Sequence, residues 1–432
     1  MRFSLPIELP DFSHVPLATR PRLLPAPSFA GKLRYELRTN LEDFGVDEVP
    51  VYVPSGEGEH VFLHLRKTGL STPGLLKRFR HLGVKERDLG MAGRKDERGV
   101  TSQWLSVPFS RLLGEAKRRV VALEQRAPVE GHPPTYLRDK QHAEVLAPGS
   151  DLLLGDEVEI LQVTRHPRKL RLGHLAGNRF SLGIKLFGHN VEKGAEDTAE
   201  GKAEEIAEEI AEEIAEELVQ RADVLMRHGF PNYFGDQRFG FEGDSLRRAV
   251  DFMRRGKKPS RSKNEGFLVS VWQSALFNRW LHERVQDGLL TTAILGDVLE
   301  KEPKGANFVC SEPDVDTGRI MSGEVSPAGP LLGSEMRAST HEALTRESRS
   351  CGALAIDPAI CTSHPALKQG ARRKAKAQVN AIQITPKSDL MHVAFTLPPG
   401  SYATVFIHEL LGFSGGDAPF SPASNAESPK GH

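Results

Sequence analysis

From Glu204 to Leu218 the chain repeats a four-residue unit, Glu-Glu-Ile-Ala, and the α-helix is the conformation that can use it. A period of four sets Ile206, Ile210, Ile214 and Leu218 in an i, i+4 stripe, and every residue type in the repeat is a good helix former. The spacing predicts a solvated helix running on to about His228, lengthened by repeat expansion. A docking surface, or a mimic of nucleic-acid charge, is the other use for so many carboxylates. The repeat also masks the charge of everything around it. Over the 432 residues, 57 Lys and Arg balance 57 Asp and Glu. Glu192 to Glu217 holds twelve acids against two lysines, which leaves 55 basic and 45 acidic residues elsewhere. A basic body with one acidic appendage suits a phosphate-rich partner.

The length calls for two or three domains. No apolar run approaches the roughly 18–20 residues that cross a bilayer. Six prolines between Pro6 and Pro27 break up the N-terminus, so no signal peptide is read there and a cytoplasmic location is expected. Cys310, Cys351 and Cys361 form no C-x-x-C pair and no disulfide framework. Cys361 and His364 could share a metal, but with no second ligand pair they read as incidental. Nothing in the chain demands more than a monomer.

Ordered structure is expected from about Gly31, after an irregular extension over 1–30. Glu42–Tyr52 and His60–Arg66 read as strands, the second alternating Val61, Leu63, Leu65 against Phe62, His64, Arg66. The glycine-rich Ser55–Glu59 between them is a hairpin turn rather than a phosphate cradle. A helix follows, with Thr72 as N-cap, Pro73 in its first turn and Gly83 past its end. Arg87–Gln103 reads as strand, loop, strand, and 156–186 as strand-rich. Pro231–Gly240 is an aromatic, turn-rich junction, Phe267–Arg284 an amphipathic helix, and 303–370 a Gly-, Pro- and Ser-rich region with short helices. Strands return at Ala381–Ile384 and Met391–Leu397, before a Gly-, Ser- and Pro-rich tail over 413–432. Strands early, helices in the middle and strands at the end suggest one α+β domain interrupted by another.

Asp96 lies in Gly93-Arg94-Lys95-Asp96-Glu97-Arg98-Gly99, between two expected strands and beside three cations. Such a carboxylate, kept ionised by its neighbours, serves as nucleophile or general base, or it belongs to an ordinary charged surface turn. The run Arg165 to Phe180 holds five Lys and Arg and no acid, and ends on an aromatic. That pattern fits phosphate contact with base stacking, or a strand edge protected by charge. Arg254–Lys263 and Arg372–Lys376 are further basic clusters.

Taken in order, these segments resemble the TruD family of tRNA pseudouridine synthases. Met91-Ala92-Gly93-Arg94-Lys95-Asp96 through Thr101-Ser102-Gln103-Trp104 is similar to its catalytic motif, a Gly-x-Lys-Asp core before a Thr-x-Gln strand. Asn40–Phe44 with Gly56–His60, Lys169–Phe180, Pro231–Gly240, Ser274–Asn278 and Pro398–Thr404 resemble its other stretches, the last a C-terminal strand motif. The resemblance covers about Gly31 to Gly412. It implies an α+β pseudouridine-synthase core with a mixed, mainly antiparallel sheet, interrupted by an inserted α/β domain. The core would take 31–228, with an acidic insert at 192–218, and 376–412; the insertion would take 229–375. It implies tRNA as substrate, at the uridine of position 13 in the D arm, one essential aspartate at Asp96, and neither metal nor organic cofactor. By the same resemblance Phe180 stacks on the extruded uracil, Asn178 hydrogen-bonds the carboxylate, and Lys95 and Arg38 line the site. Arg38 stands where the family usually has lysine.

Two rivals use the same residues. A non-catalytic RNA-binding or tRNA-folding factor accounts for the basic segments but leaves the Asp96 motif unexplained. A metal-dependent nucleotide hydrolase needs a cluster of carboxylate or histidine ligands that the sequence does not supply.

Overall fold

The computed structural model describes residues 20–30, 33–37, 40–124, 152, 154–188, 200–240, 243–255, 263–303, 305–353, 365–367, 370–387 and 390–412. The chain divides into two compact units: Lys32–Glu216 with Asn380–Pro399 and Pro419–His432, and Met1–Gly31 with Glu217–Val379 and Gly400–Ala418.

The first unit is built on a nine-stranded sheet. Its strands are β1 (Leu33–Leu37), β2 (Phe44–Pro50), β3 (His60–Thr68), β4 (Gly90–Met91), β5 (Val100–Pro108), β6 (Val158–His166), β7 (Leu175–Gly188), β8 (Asn380–Lys387) and β9 (Leu390–Leu397). The order is β8-β9-β7-β2-β5-β3-β6, with β1 on β7 and β4 on β5. Only β2 and β5 run parallel; every other pair is antiparallel. The alternation of Val61, Leu63 and Leu65 puts all three on one face, against helices α1 (Thr72–Arg78) and α2 (Gly114–Glu124) and against Leu105, Val107 and Ile160.

One local expectation is corrected. Ser71, not Thr72, caps α1: its Oγ accepts the Gly74 N–H at 3.2 Å. Thr72 becomes the first helical residue, which frees its hydroxyl for other partners. Gly83 does end the segment, in the left-handed conformation, after a 3₁₀ turn over Phe79–Leu82.

In the second unit the helices Asp244–Arg254 and Lys263–Gln286 pack through Leu246, Val250, Leu268, Val271, Trp272 and Leu276. The region from 303 to 370 does hold short helices, Pro313–Met321 and His341–Ala353. It also contributes strands Asn307–Val309 and Val325–Leu331 to a four-stranded sheet with Val298–Lys301 and Ala371–Lys374. Pro327 and Pro330 lie inside one of those strands, opposite Leu299 and Arg372, which is why their sequence reads as loop. Within the Pro398–Thr404 stretch the strand has already ended at Leu397, and a helix, Ala403–Leu411, begins. The acidic repeat is helical, within Glu200–His228. Cys310 and Cys351 are buried, while Cys361 and His364 lie outside the described residues. Among the described residues no helix is long and apolar enough to cross a membrane.

Candidate active site

Strand pairing gathers the residues of interest onto one face of the nine-stranded sheet. Glu48 on β2 lies opposite Asn178 on β7, and Val46 opposite Phe180. Phe180 lies opposite Phe395 on β9. Val46 pairs with Thr101 on β5, and Thr101 and Gln103 pair with Lys67 and Leu65 on β3. Directly opposed residues share a face and alternate residues return to it, so Lys67, Thr101, Gln103, Glu48, Asn178 and Phe180 all project from the same side.

The loop from β4 to β5 carries Asp96 and is held by side chains of β2, β3 and α1. The Lys67 ammonium, with no exposed surface, donates to the Asp96 carbonyl oxygen at 2.6 Å. Thr72 Oγ1 accepts the Lys95 N–H at 2.9 Å and lies 3.1 Å from each of two acceptors for its own proton, the Lys95 carbonyl and Gln103 Oε1. Lys95 Nζ meets Glu48 Oε2 at 2.9 Å in an ion pair whose side chains are 4% and 1% exposed. The other Glu48 oxygen takes the Trp104 N–H at 3.3 Å. The loop rejoins the sheet through Gly99 at φ +149, where a Cβ would stand 2.4 Å from the Phe44 carbonyl oxygen. Lys95 thus turns inward while Asp96, the next residue, is exposed.

Burial dominates the electrostatics beneath this loop. It pushes the Lys67 ammonium down to about 8, opposed by the Asp96 and Glu97 charges. It pushes the Glu48 carboxyl up, against the pull of Lys95. An ion pair this dry is held by geometry and extra hydrogen bonds rather than by net Coulomb gain. Asn178 Oδ1, Thr101 Oγ1 and Gln103 Nε2 are buried and find no hydrogen-bond partner among the described residues.

Phe180 is 8% exposed. Its ring stacks on Phe395 (centroids 5.2 Å apart, 18° between planes) and meets Phe44 edge-on at 6.4 Å. Arg38 lies outside the described residues. Lys67, Thr72, Glu48 and Gln103 were not among the site residues expected from sequence, where Thr72 was a helix cap and Gln103 only part of a strand motif. Two of them were signalled there: Lys67 continues the inward Val61, Leu63, Leu65 register, and Glu48 continues Phe44 and Val46.

The opposite face carries a second polar chain. Ser102 Oγ donates to Asp47 Oδ1 at 2.7 Å, and His64 Nε2 lies 3.3 Å from Ser102 Oγ. Burial pushes the Asp47 carboxyl up to about 6 and the His64 imidazole, stacked on Trp104, down to about 4. The order is wrong for an activated serine: the hydroxyl lies between acid and imidazole, and the acid does not orient the imidazole. Among the described residues no three or more His, Cys, Asp or Glu gather as a metal site.

A family model described as tRNA pseudouridine synthase D (TruD) matches residues 29–125, 141–247 and 261–410. The tRNA pseudouridine synthase D of an Anaeromyxobacter species is 36% identical over 382 residues, covering 87% of this chain and 92% of its own. That of Thermus thermophilus is 30% identical over 381 residues, covering 87% and 88%. Among solved structures, the putative tRNA pseudouridine synthase D of Methanosarcina mazei aligns with a TM-score of 0.56 over 94% of this chain and 99% of its own. At 19% identity that is a likeness of fold.

Proposed function

The chain belongs to the TruD family, and from that membership we propose that it is a tRNA pseudouridine synthase acting at uridine 13 of the D arm, with Asp96 as its catalytic carboxylate. The observation that carries the role of Asp96 is the clamp on its loop. Lys67, Thr72 and the Glu48–Lys95 pair spend buried polar groups on holding one exposed acid. A surface turn has no need of that.

The reaction is an isomerisation. The N1–C1′ bond of uridine breaks, the uracil turns, C5 joins C1′, and the proton lost from C5 is balanced by one gained at N1. No oxidant or reductant is consumed. An ionised Asp96 can attack C1′, stabilise the sugar cation, or take the C2′ proton, and later assist loss of the C5 proton. All three routes ask the same of the fold, a carboxylate fixed against the ribose, and fixed geometry is what the clamp supplies. Extruding the base costs a few kcal/mol. Phe180 would recover part of this by stacking on the uracil, and Asn178 would hydrogen-bond the carboxylate. Lys95, which sequence placed against the substrate, is turned inward on Glu48 and would act by holding the loop. Arg38 would add a cation toward the RNA, with a planar fork in place of the usual ammonium. The basic run Arg165–Phe180 suits the phosphates of the same tRNA, and enzyme and substrate would meet in the cytoplasm.

The test is pseudouridine mapping on an unmodified tRNA transcript, with and without EDTA, for the wild type and Asp96→Asn. Pseudouridine at position 13 from the wild type alone, unchanged by EDTA, is the expected result. Equal backgrounds from both proteins would remove the enzyme and leave an RNA-binding protein. Loss of activity in EDTA would favour the metal-dependent rival, and modification at another uridine would overturn the position.

A further inference from the structure

Between β6 and β7 the segment Arg168–His174 forms a basic turn with an apolar tip. Leu172 is 73% exposed, and the guanidinium groups of Arg168 and Arg171, also exposed, make no ion pair or hydrogen bond among the described residues. The turn is nevertheless firmly held. Leu170 is buried beside Ala92 and Trp104, and its N–H donates to Ser106 Oγ at 2.9 Å. The Lys169 ammonium donates to the Arg87 carbonyl at 2.7 Å. His174 N–H closes the turn on the Arg171 carbonyl at 3.0 Å, across Gly173 at φ +86. From the other side Tyr52 stacks on His166 at 5.0 Å and meets His174 edge-on at 5.9 Å. Most telling is the Gly173 N–H, which donates to the Ala92 carbonyl at 2.8 Å. Ala92 is four residues before Asp96, in the same β4–β5 loop. The tip is therefore fixed to the segment that carries the proposed catalytic acid.

A leucine held in water on a braced turn beside two free cations gains nothing within the fold. It matches what a protein needs to open a stack of bases: cations on the phosphates and a stiff apolar side chain between base planes. No acid lies between Arg165 and Phe180 to repel a backbone. We propose that Leu172 is a wedge that enters the RNA base stack beside the target uridine and keeps that uridine extruded, with Arg168 and Arg171 on the flanking phosphates. The proposal rests on the reading of the chain as a tRNA pseudouridine synthase.

A wedge acts on the step that follows binding. Leu172→Ala should lower single-turnover pseudouridine formation about tenfold at saturating tRNA transcript while KM stays within about twofold. Leu172→Met should restore most of the rate, since an apolar probe of similar reach remains. On a transcript whose target uridine has been left without a pairing partner, the Ala deficit should shrink to about twofold or less. With 2-aminopurine beside the target uridine, binding of Asp96→Asn should brighten the probe, and Asp96→Asn/Leu172→Ala should bind without brightening it. A raised KM with unchanged rate, or equal deficits on both transcripts, would make Leu172 a docking contact and overturn the wedge. No pseudouridine from the wild type would instead remove the synthase reading, and the wedge with it.

Discussion

Lys67 Nζ lies 2.6 Å from the carbonyl oxygen of Asp96, so a buried ammonium on β3 holds the backbone of the exposed acid. Burial outweighs the nearby Asp96 and Glu97 charges and brings this lysine down to about 8. Its proton is therefore present below that pH and lost above it. Turnover should fall as pH rises through about 8, and Lys67→Met should be at least tenfold slower at neutral pH without that alkaline limb. Single-turnover rates between pH 6 and 9.5 check this. Melting should separate the effects, because the methionine removes a desolvated charge as well as a hydrogen bond, and the two nearly offset. A variant that melts far below the wild type would make Lys67 a structural residue only.

Thr72 contributes one oxygen and no charge, so its role can be isolated by shape. Thr72→Ser keeps the hydroxyl that accepts the Lys95 N–H, whereas Thr72→Val keeps the volume and loses it. Leaving the buried Lys95 N–H unpaired costs about 1–3 kcal/mol. We expect the Val variant to lose that much stability, by chemical denaturation, and at least tenfold in rate. The Ser variant should stay within about threefold of the wild type. Equal rates for the two would show that the loop does not depend on this contact.

Most of this framework is legible in the chain. Alternation in His60–Arg66 and the paired strands near the end foretell the large sheet, and the ordered motifs single out Asp96. The supports of Asp96 are harder to see, because they join positions distant in sequence. Lys67 and Glu48 each occupy an inward register position, which a charge seldom does, and that is a readable signal of a buried partner. Nothing in the sequence says that the partners are the Asp96 carbonyl and Lys95. Thr72 looks like a helix cap and becomes a loop anchor because Ser71 takes the capping role. Prolines at 327 and 330 conceal a strand, since local propensity cannot register that their neighbours pair without those N–H groups.

Phe180 is packed as well as placed, so a loss of activity on its replacement could reflect either role. Phe395 is the control, because each ring is the other's stacking partner at 5.2 Å. Phe180→Leu and Phe395→Leu both remove the aromatic pair and some buried area, and each should cost about 1–3 kcal/mol in denaturant unfolding. If Phe180 also stacks on the extruded uracil, only its variant should lose a further tenfold or more in turnover. Matching losses of rate would confine Phe180 to the core.

Glu409 offers a test of pH in the second unit. Its carboxylate is buried, and Oε2 accepts the Leu23 N–H at 3.0 Å, which ties the irregular Arg20–Ala30 segment to the helix Ala403–Leu411. Burial lifts this acid from 4.5 to about 7, against the pull of Leu23 N–H, Arg22 and Arg221. Between those values the folded chain holds a proton that the unfolded chain has lost. Stability must therefore fall as pH rises from about 4.5 to 7, by about 3 kcal/mol in all, and stay lowered above that. Glu409→Gln keeps an acceptor for Leu23 and has no proton to lose. The difference in unfolding free energy between the two proteins should grow in favour of glutamine across pH 5–7 and level off by pH 8. A difference that does not change with pH would mean that Glu409 stays solvated enough to ionise at its ordinary value.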